Sequence, residues 1–124
     1  MGKEYPESEL TNKIIGLAIK VHKNLGPGFT EKIYQRALEK EFIKNKINFK
    51  REIGVNVNYE GENIGLHIID FLVEERIVVE LKTVKQLVNV HIKQVISYLK
   101  ASGKKIGLIL NFSKDKLDIK RVIV

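Results

Sequence analysis

Residues 68–82 read IIDFLVEERIVVELK, two apolar runs joined by a charged tip. Three charged residues stand inside those runs: Asp70 between Ile69 and Phe71, Glu80 between Val79 and Leu81, and Lys82 just beyond. An isolated charge in an apolar run is costly unless it is paired or bound to something. Asp is also disfavoured in mid-strand, and Asp70 is the only aspartate before residue 115. Successive strand side chains point to opposite faces, so Glu80 and Lys82 share one. Asp70 joins them only if the pairing register has the right parity. A three-residue tip, Glu74 to Arg76, pairs Val73 with Ile77 and hence Asp70 with Glu80, with Cβ atoms ~5 Å apart. A two-residue tip sends Asp70 to the other face unless a bulge corrects it.

Two carboxylates that meet repel each other unless positive charge lies between them. Lys82 serves in part, and a divalent cation serves better. Mg²⁺ takes oxygen ligands, typically one or two carboxylates with waters and phosphate oxygens. The alternative is a structural salt bridge from Asp70 or Glu80 to Lys82 at a half-exposed sheet edge, since a D-x9-E-x-K string is short enough to occur by accident.

The rest of the chain supplies the frame. Leu10, Ile14, Leu17, Ala18, Val21 and Leu25 recur at helical spacing over residues 8–25, with Ser8 as N-cap and Gly26-Pro27 as the stop. A second helix is expected over 31–46, capped by Thr30, with Ile33, Tyr34, Ala37, Leu38 and Phe42 on its apolar side. The period then changes to two. FKREIGVNVNY reads as a strand, EGEN as a turn, and strands follow at 64–74 and 77–83. A third helix spans 90–102, with Asn89 as cap, Gly103 as terminator and a stripe of Ile92, Val95, Ile96 and Leu99. KIGLILNF and LDIKRVIV close the chain as strands. The order α-α-β-β-β-α-β-β makes an α/β fold, a mixed β-sheet flanked by helices. Gln94 and Tyr98, at i and i+4, share one face of the third helix with His91. His67 and Asp70, three apart, are expected on opposite faces, and none of His22, His67 and His91 has zinc-ligand spacing.

A length of 124 residues suggests a single domain, 1–124. There are no cysteines, which excludes disulfides, thiolate metal sites and cysteine nucleophiles and fits a reducing, cytoplasmic compartment. No apolar run approaches the ~18 residues of a membrane span. MGKEYPESEL lacks the apolar core of a signal peptide, and Pro6 breaks the myristoylation pattern. The formal charge of +7 favours a polyanionic partner, most often nucleic acid, against the alternative of solubility alone.

These residues together resemble the GxxExxY family of the PD-(D/E)xK nuclease superfamily. The naming motif is Gly28, Glu31 and Tyr34 in GFTEKIY. The catalytic string is Asp70 with Glu80-Leu81-Lys82. His91 and Gln94 match the family's H-x-x-Q, and Gln94 with Tyr98 looks like the Q-x-x-x-Y element of RecB-like nucleases. Ile69 replaces the superfamily's Pro, Ile68 replaces a frequent basic residue, and Ile92 and Lys93 replace acidic and small residues.

The resemblance implies a restriction-endonuclease-like αβββαβ core. It implies Mg²⁺ or Mn²⁺ held by Asp70, Glu80 and the Leu81 carbonyl, with Glu31 adding a carboxylate directly or through water. Lys82 would orient or help deprotonate the attacking water. Gln94 and Tyr98, with His91 and Tyr34, would brace the site or touch substrate. The function implied is a metal-dependent nuclease hydrolysing phosphodiester bonds in DNA, with DNA favoured over RNA. Two rivals stand beside it: a catalytically silent module of the same fold that binds nucleic acid or protein, and a dimeric enzyme similar to Holliday-junction resolvases. Lys44, Lys46, Lys50, Arg51, Lys104, Lys105, Lys114 and Lys116 are the candidates for phosphate contacts, against a merely solvated surface.

Overall fold

The computed structural model describes residues 7–124, so the readings made on MGKEYP lie outside the described residues. The elements are α1 (Ser8–Leu25), α2 (Glu31–Lys44), β1 (Phe49–Tyr59), β2 (Glu62–Val73), β3 (Ile77–Lys82), α3 (Asn89–Ser102), β4 (Ile106–Asn111) and β5 (Asp118–Ile123), in the expected order. They form one five-stranded sheet, β1-β2-β3-β4-β5. Every neighbouring pair is antiparallel except β3 and β4, which are parallel. That pair requires a crossover, and α3 provides it.

The helix ends differ in detail from the sequence expectation. Ser8 is the first residue of α1, and Glu7 holds the cap position at φ 57°. The Ser8 carbonyl accepts from the Thr11 hydroxyl at 3.2 Å. α2 ends at Lys44 because the Asn45 side chain donates to the Glu41 carbonyl at 2.8 Å and Lys46 turns left-handed at φ 56°. In α3 the cap is Val88, not Asn89. The His91 Nδ1 accepts from the Val88 N–H at 3.0 Å, so the side chain of the third helical residue satisfies an otherwise orphaned donor. The first hairpin turn is tighter than EGEN, because Glu60 and Gly61 both take positive φ (48° and 81°) and β2 starts at Glu62.

Alternation along the strands divides the apolar residues between two cores. Phe71, Val73, Ile77, Val79, Leu81, Leu108 and Leu110 pack against Ile14, Ala18, Val21, Tyr34, Leu38 and Phe42 of α1 and α2. Leu72, Val78, Ile109 and Val122 pack against Val95 and Leu99 of α3. Helices thus cover both faces. Leu25 and Ile33, expected on the apolar faces, are 36% and 42% exposed; they lie in the last turn of α1 and the first of α2.

Two irregularities position the site. The β2–β3 ladder runs Val73↔Ile77, Leu72↔Val78, Phe71↔Val79 and stops there. The connecting tip is therefore the three-residue one, Glu74 to Arg76. Beyond the ladder β2 continues on β1 alone, while β3 continues on β4 as far as Lys82↔Asn111. The sheet forks at Asp70 and Glu80. The second irregularity is a change of face. Ile69 and Leu72 both pack in the α3-side core although they are three apart. The alternation breaks where the β1–β2 register skips the Glu52/Asp70 row, and Glu52 there takes φ 55°.

Candidate active site

In the fork, side chains take over from the ladder. The Asp70 N–H donates to Glu80 Oε1 at 3.0 Å, and the Leu81 N–H donates to Asp70 Oδ2 at 2.8 Å. Each carboxylate thereby satisfies a backbone donor that separation of the strands leaves without a partner. The direct Asp70–Glu80 pair expected from a three-residue tip does not form, because the ladder ends at Phe71↔Val79; the two carboxyls meet in the fork through these bonds to backbone N–H groups instead. From the helix side, Gln35 of α2 donates through Nε2 to Asp70 Oδ1 at 3.3 Å. Gln35 is buried, one turn after Glu31, so α2 presents both to the fork.

Burial raises three acids at or beside the fork. Burial pushes the Glu80 carboxyl from 4.5 up to about 8, with the Asp70 charge adding to the shift. Asp70 is raised by burial against the opposing pull of the Leu81 N–H and the Lys82 ammonium. Glu31 is raised by burial and by Asp70, against Lys82 and hydrogen bonds from Thr83. Lys82 acts on all three carboxyls, and all three stay above their ordinary values. Burial thus makes each of these oxygen donors costly to ionise in the free protein, a cost that a bound divalent cation would offset. No three of the described His, Asp and Glu side chains converge as a ready-made metal cage. Asp70 and Glu80 are the two carboxylates in the fork that could hold such an ion, with waters and phosphate oxygens completing its shell.

The loop before α2 explains the spacing of Gly28, Glu31 and Tyr34. Gly28 takes φ 111°, a conformation closed to most side chains. Tyr34 is fully buried and stacks on Phe112 with ring centroids 4.4 Å apart. Its hydroxyl donates to the Gly26 carbonyl at 2.5 Å and accepts from the Phe29 N–H at 3.2 Å. Tyr34 pins the loop, and the loop sets where Glu31 begins α2. On the other side of the fork, Asn111 holds the segment after β3. Its Oδ1 accepts from the Val84 N–H at 3.0 Å and its Nδ2 donates to the Val84 carbonyl at 2.9 Å. Thr83 is thereby kept next to Glu31.

α3 contributes less directly. Tyr98 stacks on His67 of β2, centroids 3.5 Å apart and 15° from parallel, and feels the Glu80 charge. Gln94 is half-buried on the same helix, with its Oε1 buried and without a hydrogen-bond partner. His91 caps the helix as described. His67 and Asp70 lie on opposite sides, as strand alternation requires: His67 stacks on Tyr98 of α3 and Ile69 joins the α3-side core, while Ile68 and Asp70 line a cleft with Gln35 of α2. His67 lies close enough to feel both Asp70 and Lys82, and burial holds it below its ordinary value. Gln35, Thr83 and His67 are thus site neighbours that sequence reasoning missed. The i, i+4 spacing from Glu31 was a signal for Gln35, whereas Thr83 and His67 offered none.

Among the candidate phosphate contacts, Lys50, Arg51 and Lys114 pair with Glu75, Glu39 and Asp118. No described helix is long and apolar enough to cross a membrane.

The family model of the PD-(D/E)XK nuclease superfamily matches residues 8–122. No curated protein sequence matches the chain. Among solved structures, the fold is similar to that of SSO0001, with a TM-score of 0.56 and 20% identity over 74% of this chain and 48% of that one. It is also similar to an alkaline exonuclease, LHK-Exo, from Laribacter hongkongensis, with a TM-score of 0.56 and 11% identity over 98% and 72% of the two chains. The chain spans about half the length of the first of these structures. At such identities the likeness establishes the fold: a mixed five-stranded sheet with flanking helices, restriction-endonuclease-like.

Proposed function

Because the chain belongs to the PD-(D/E)XK nuclease superfamily, we propose that it hydrolyses phosphodiester bonds in DNA with the help of Mg²⁺ or Mn²⁺, and that Gly28, Glu31 and Tyr34 place it in the GxxExxY branch. The observation that carries this reading is the fork itself. Glu80 accepts from the Asp70 N–H at 3.0 Å and Asp70 accepts from the Leu81 N–H at 2.8 Å, with Lys82 acting on both carboxylates.

Asp70, Glu80 and the Leu81 carbonyl would hold the metal, with Glu31 joining directly or through water. When bound, the metal would lower the pKa of a water and offset the charge that builds on the phosphoryl oxygens. The remaining work falls to the chain's own groups. The Lys82 ammonium would orient the attacking water and keep it in line with the bond to be broken. Gln35 and the Leu81 N–H fix the Asp70 carboxylate, so that little reorganisation is left for the reaction. Tyr98, with His67 stacked on it, would form the wall on the α3 side, and Gln94 would brace it. Tyr34 and His91 would act at a distance, by holding the loop and helix that carry these groups. The basic surface, at a formal +7, supports a polyanionic substrate.

The test is a panel of DNA and RNA forms incubated with Mn²⁺ or Mg²⁺. Wild type is expected to cleave at least one DNA form and to stop in excess chelator. Asp70→Ala is expected to lose both metal binding and cleavage, whereas Lys82→Ala keeps the metal and loses turnover. Cleavage by the wild type in excess chelator would rule the mechanism out.

A further inference from the structure

Beside the fork lies an open cleft of about 290 Å³, lined by Glu31, Lys32, Gln35, Glu52, Ile68 and Asp70. One cation lines it, Lys32, the residue after Glu31 in the first turn of α2. Its ammonium is held by the Glu52 carboxylate in an exposed ion pair. Glu52 occupies an unusual position. It is the β1 residue at which strand pairing is skipped, opposite Asp70 in the register, and its φ of 55° is unfavourable for a side chain larger than glycine's. A glutamate in a left-handed conformation at an interrupted ladder is not there for the strand's sake. Its side chain places a carboxylate in the cleft's lining, on the one cation that lines it.

We propose that Lys32 is a substrate-positioning residue that takes a backbone phosphate of the nucleic acid, and that Glu52 is a built-in stand-in for that phosphate, occupying Lys32 until the substrate displaces it. This deepens the nuclease reading and rests on it. Two physical consequences follow. The pair keeps a lone ammonium from folding back onto Glu31 or Asp70 in the free protein. It also sets a threshold: a ligand must offer Lys32 more than an exposed carboxylate does, which a phosphate within a polyanion can and a single small anion cannot. The exchange is inexpensive, because an exposed ion pair contributes little to stability.

The test is a double-mutant cycle on binding. Wild type, Glu52→Gln, Lys32→Met and the double variant are titrated with a fluorescent single-stranded oligodeoxynucleotide in chelator, where the proposed cleavage does not run. Thermal melts confirm that each is folded. Glu52→Gln is expected to bind about two- to fivefold more tightly, the range that release of an exposed ion pair allows. Lys32→Met is expected to bind more weakly and to lose about 0.7 from the log–log salt slope, one phosphate contact on a single strand. In the Lys32→Met background, Glu52→Gln should have no effect. If Glu52→Gln tightens binding equally with and without Lys32, the effect is general repulsion by Glu52 and the proposal fails. It fails equally if Lys32→Met binds like wild type. Cleavage by the wild type in Mn²⁺ is scored separately. Loss of cleavage with the cycle intact overturns the nuclease reading alone, and cleavage with a flat cycle overturns only the Lys32–Glu52 exchange.

Discussion

At the scale of the residue, Glu80 shows what the site costs the fold. The side chain is 5% exposed, and burial with the neighbouring Asp70 charge lifts its pKa to about 8. In the unfolded chain the same group titrates near 4.5. The folded state therefore binds this proton more tightly, and the stability it contributes is full below about pH 4.5 and is lost as pH rises towards 8. Each unit of such a shift is worth about 1.4 kcal/mol, so the penalty at high pH is of the order of a few kcal/mol. Glu80→Gln keeps an oxygen to accept from the Asp70 N–H and removes the charge. In metal-free protein its melting temperature is expected to exceed that of wild type at about pH 9, with the gap shrinking towards pH 5, while cleavage is abolished. Melting curves across that range, alongside a cleavage assay, check both halves. A variant no more stable than wild type at high pH would mean that Glu80 carries no buried charge.

At the scale of the element, the tip between β2 and β3 sets the register of the ladder that ends at the fork. Deleting Glu75 shortens a three-residue tip to two, and a one-residue slip exchanges the faces of a strand. Far-ultraviolet circular dichroism is expected to stay that of a mixed α/β protein, while metal binding and cleavage disappear. Retained cleavage would show that the register is set elsewhere. The loop before α2 is a second such element. Tyr34→Phe keeps the stack on Phe112 and removes the hydroxyl that bonds Gly26 and Phe29. A loss of about 1 kcal/mol is expected from the melting temperature, with weaker metal affinity because Glu31 is less firmly placed. Much of this was legible in the sequence. That Glu80 and Lys82 share a face followed from the pleat, and the element order followed from a period that changes from helical to two. What could not be read was where the pleat fails. The break at Glu52 depends on a backbone conformation that no residue type there announces, so the loss of the direct Asp70–Glu80 pairing could not be read and Glu52 was passed over. The caps were misread for a similar reason: Val88 is an unfavourable cap residue, and His91 makes it workable from three positions away.

At the scale of the whole molecule, charge is divided. The chain carries a formal +7, yet Asp70 and Glu80 share the fork, and Glu31 at the start of α2 is near enough to interact with both. A polyanion is therefore drawn to the body and repelled by the fork until a cation reverses the local sign. This predicts two separable parts of binding. In chelator, affinity for duplex DNA comes from the surface lysines alone. Lys50, Arg51 and Lys114 are already paired with acids, and surface pairs of that kind compete with phosphate. Lys44, Lys46, Lys105 and Lys116 form no ion pair among the described residues. If about four phosphates are neutralised, the log–log salt slope is about −3.6, and raising salt from about 50 to 200 mM weakens binding roughly a hundredfold. Adding a divalent cation is then expected to tighten binding of the wild type but not of Asp70→Ala, because only the former has a fork whose charge the ion can reverse. Anisotropy titrations at several salt concentrations, with and without the cation, separate the two parts. A slope near zero would show that the basic surface serves solubility, and a cation effect that survives Asp70→Ala would place the ion on the nucleic acid instead of in the fork.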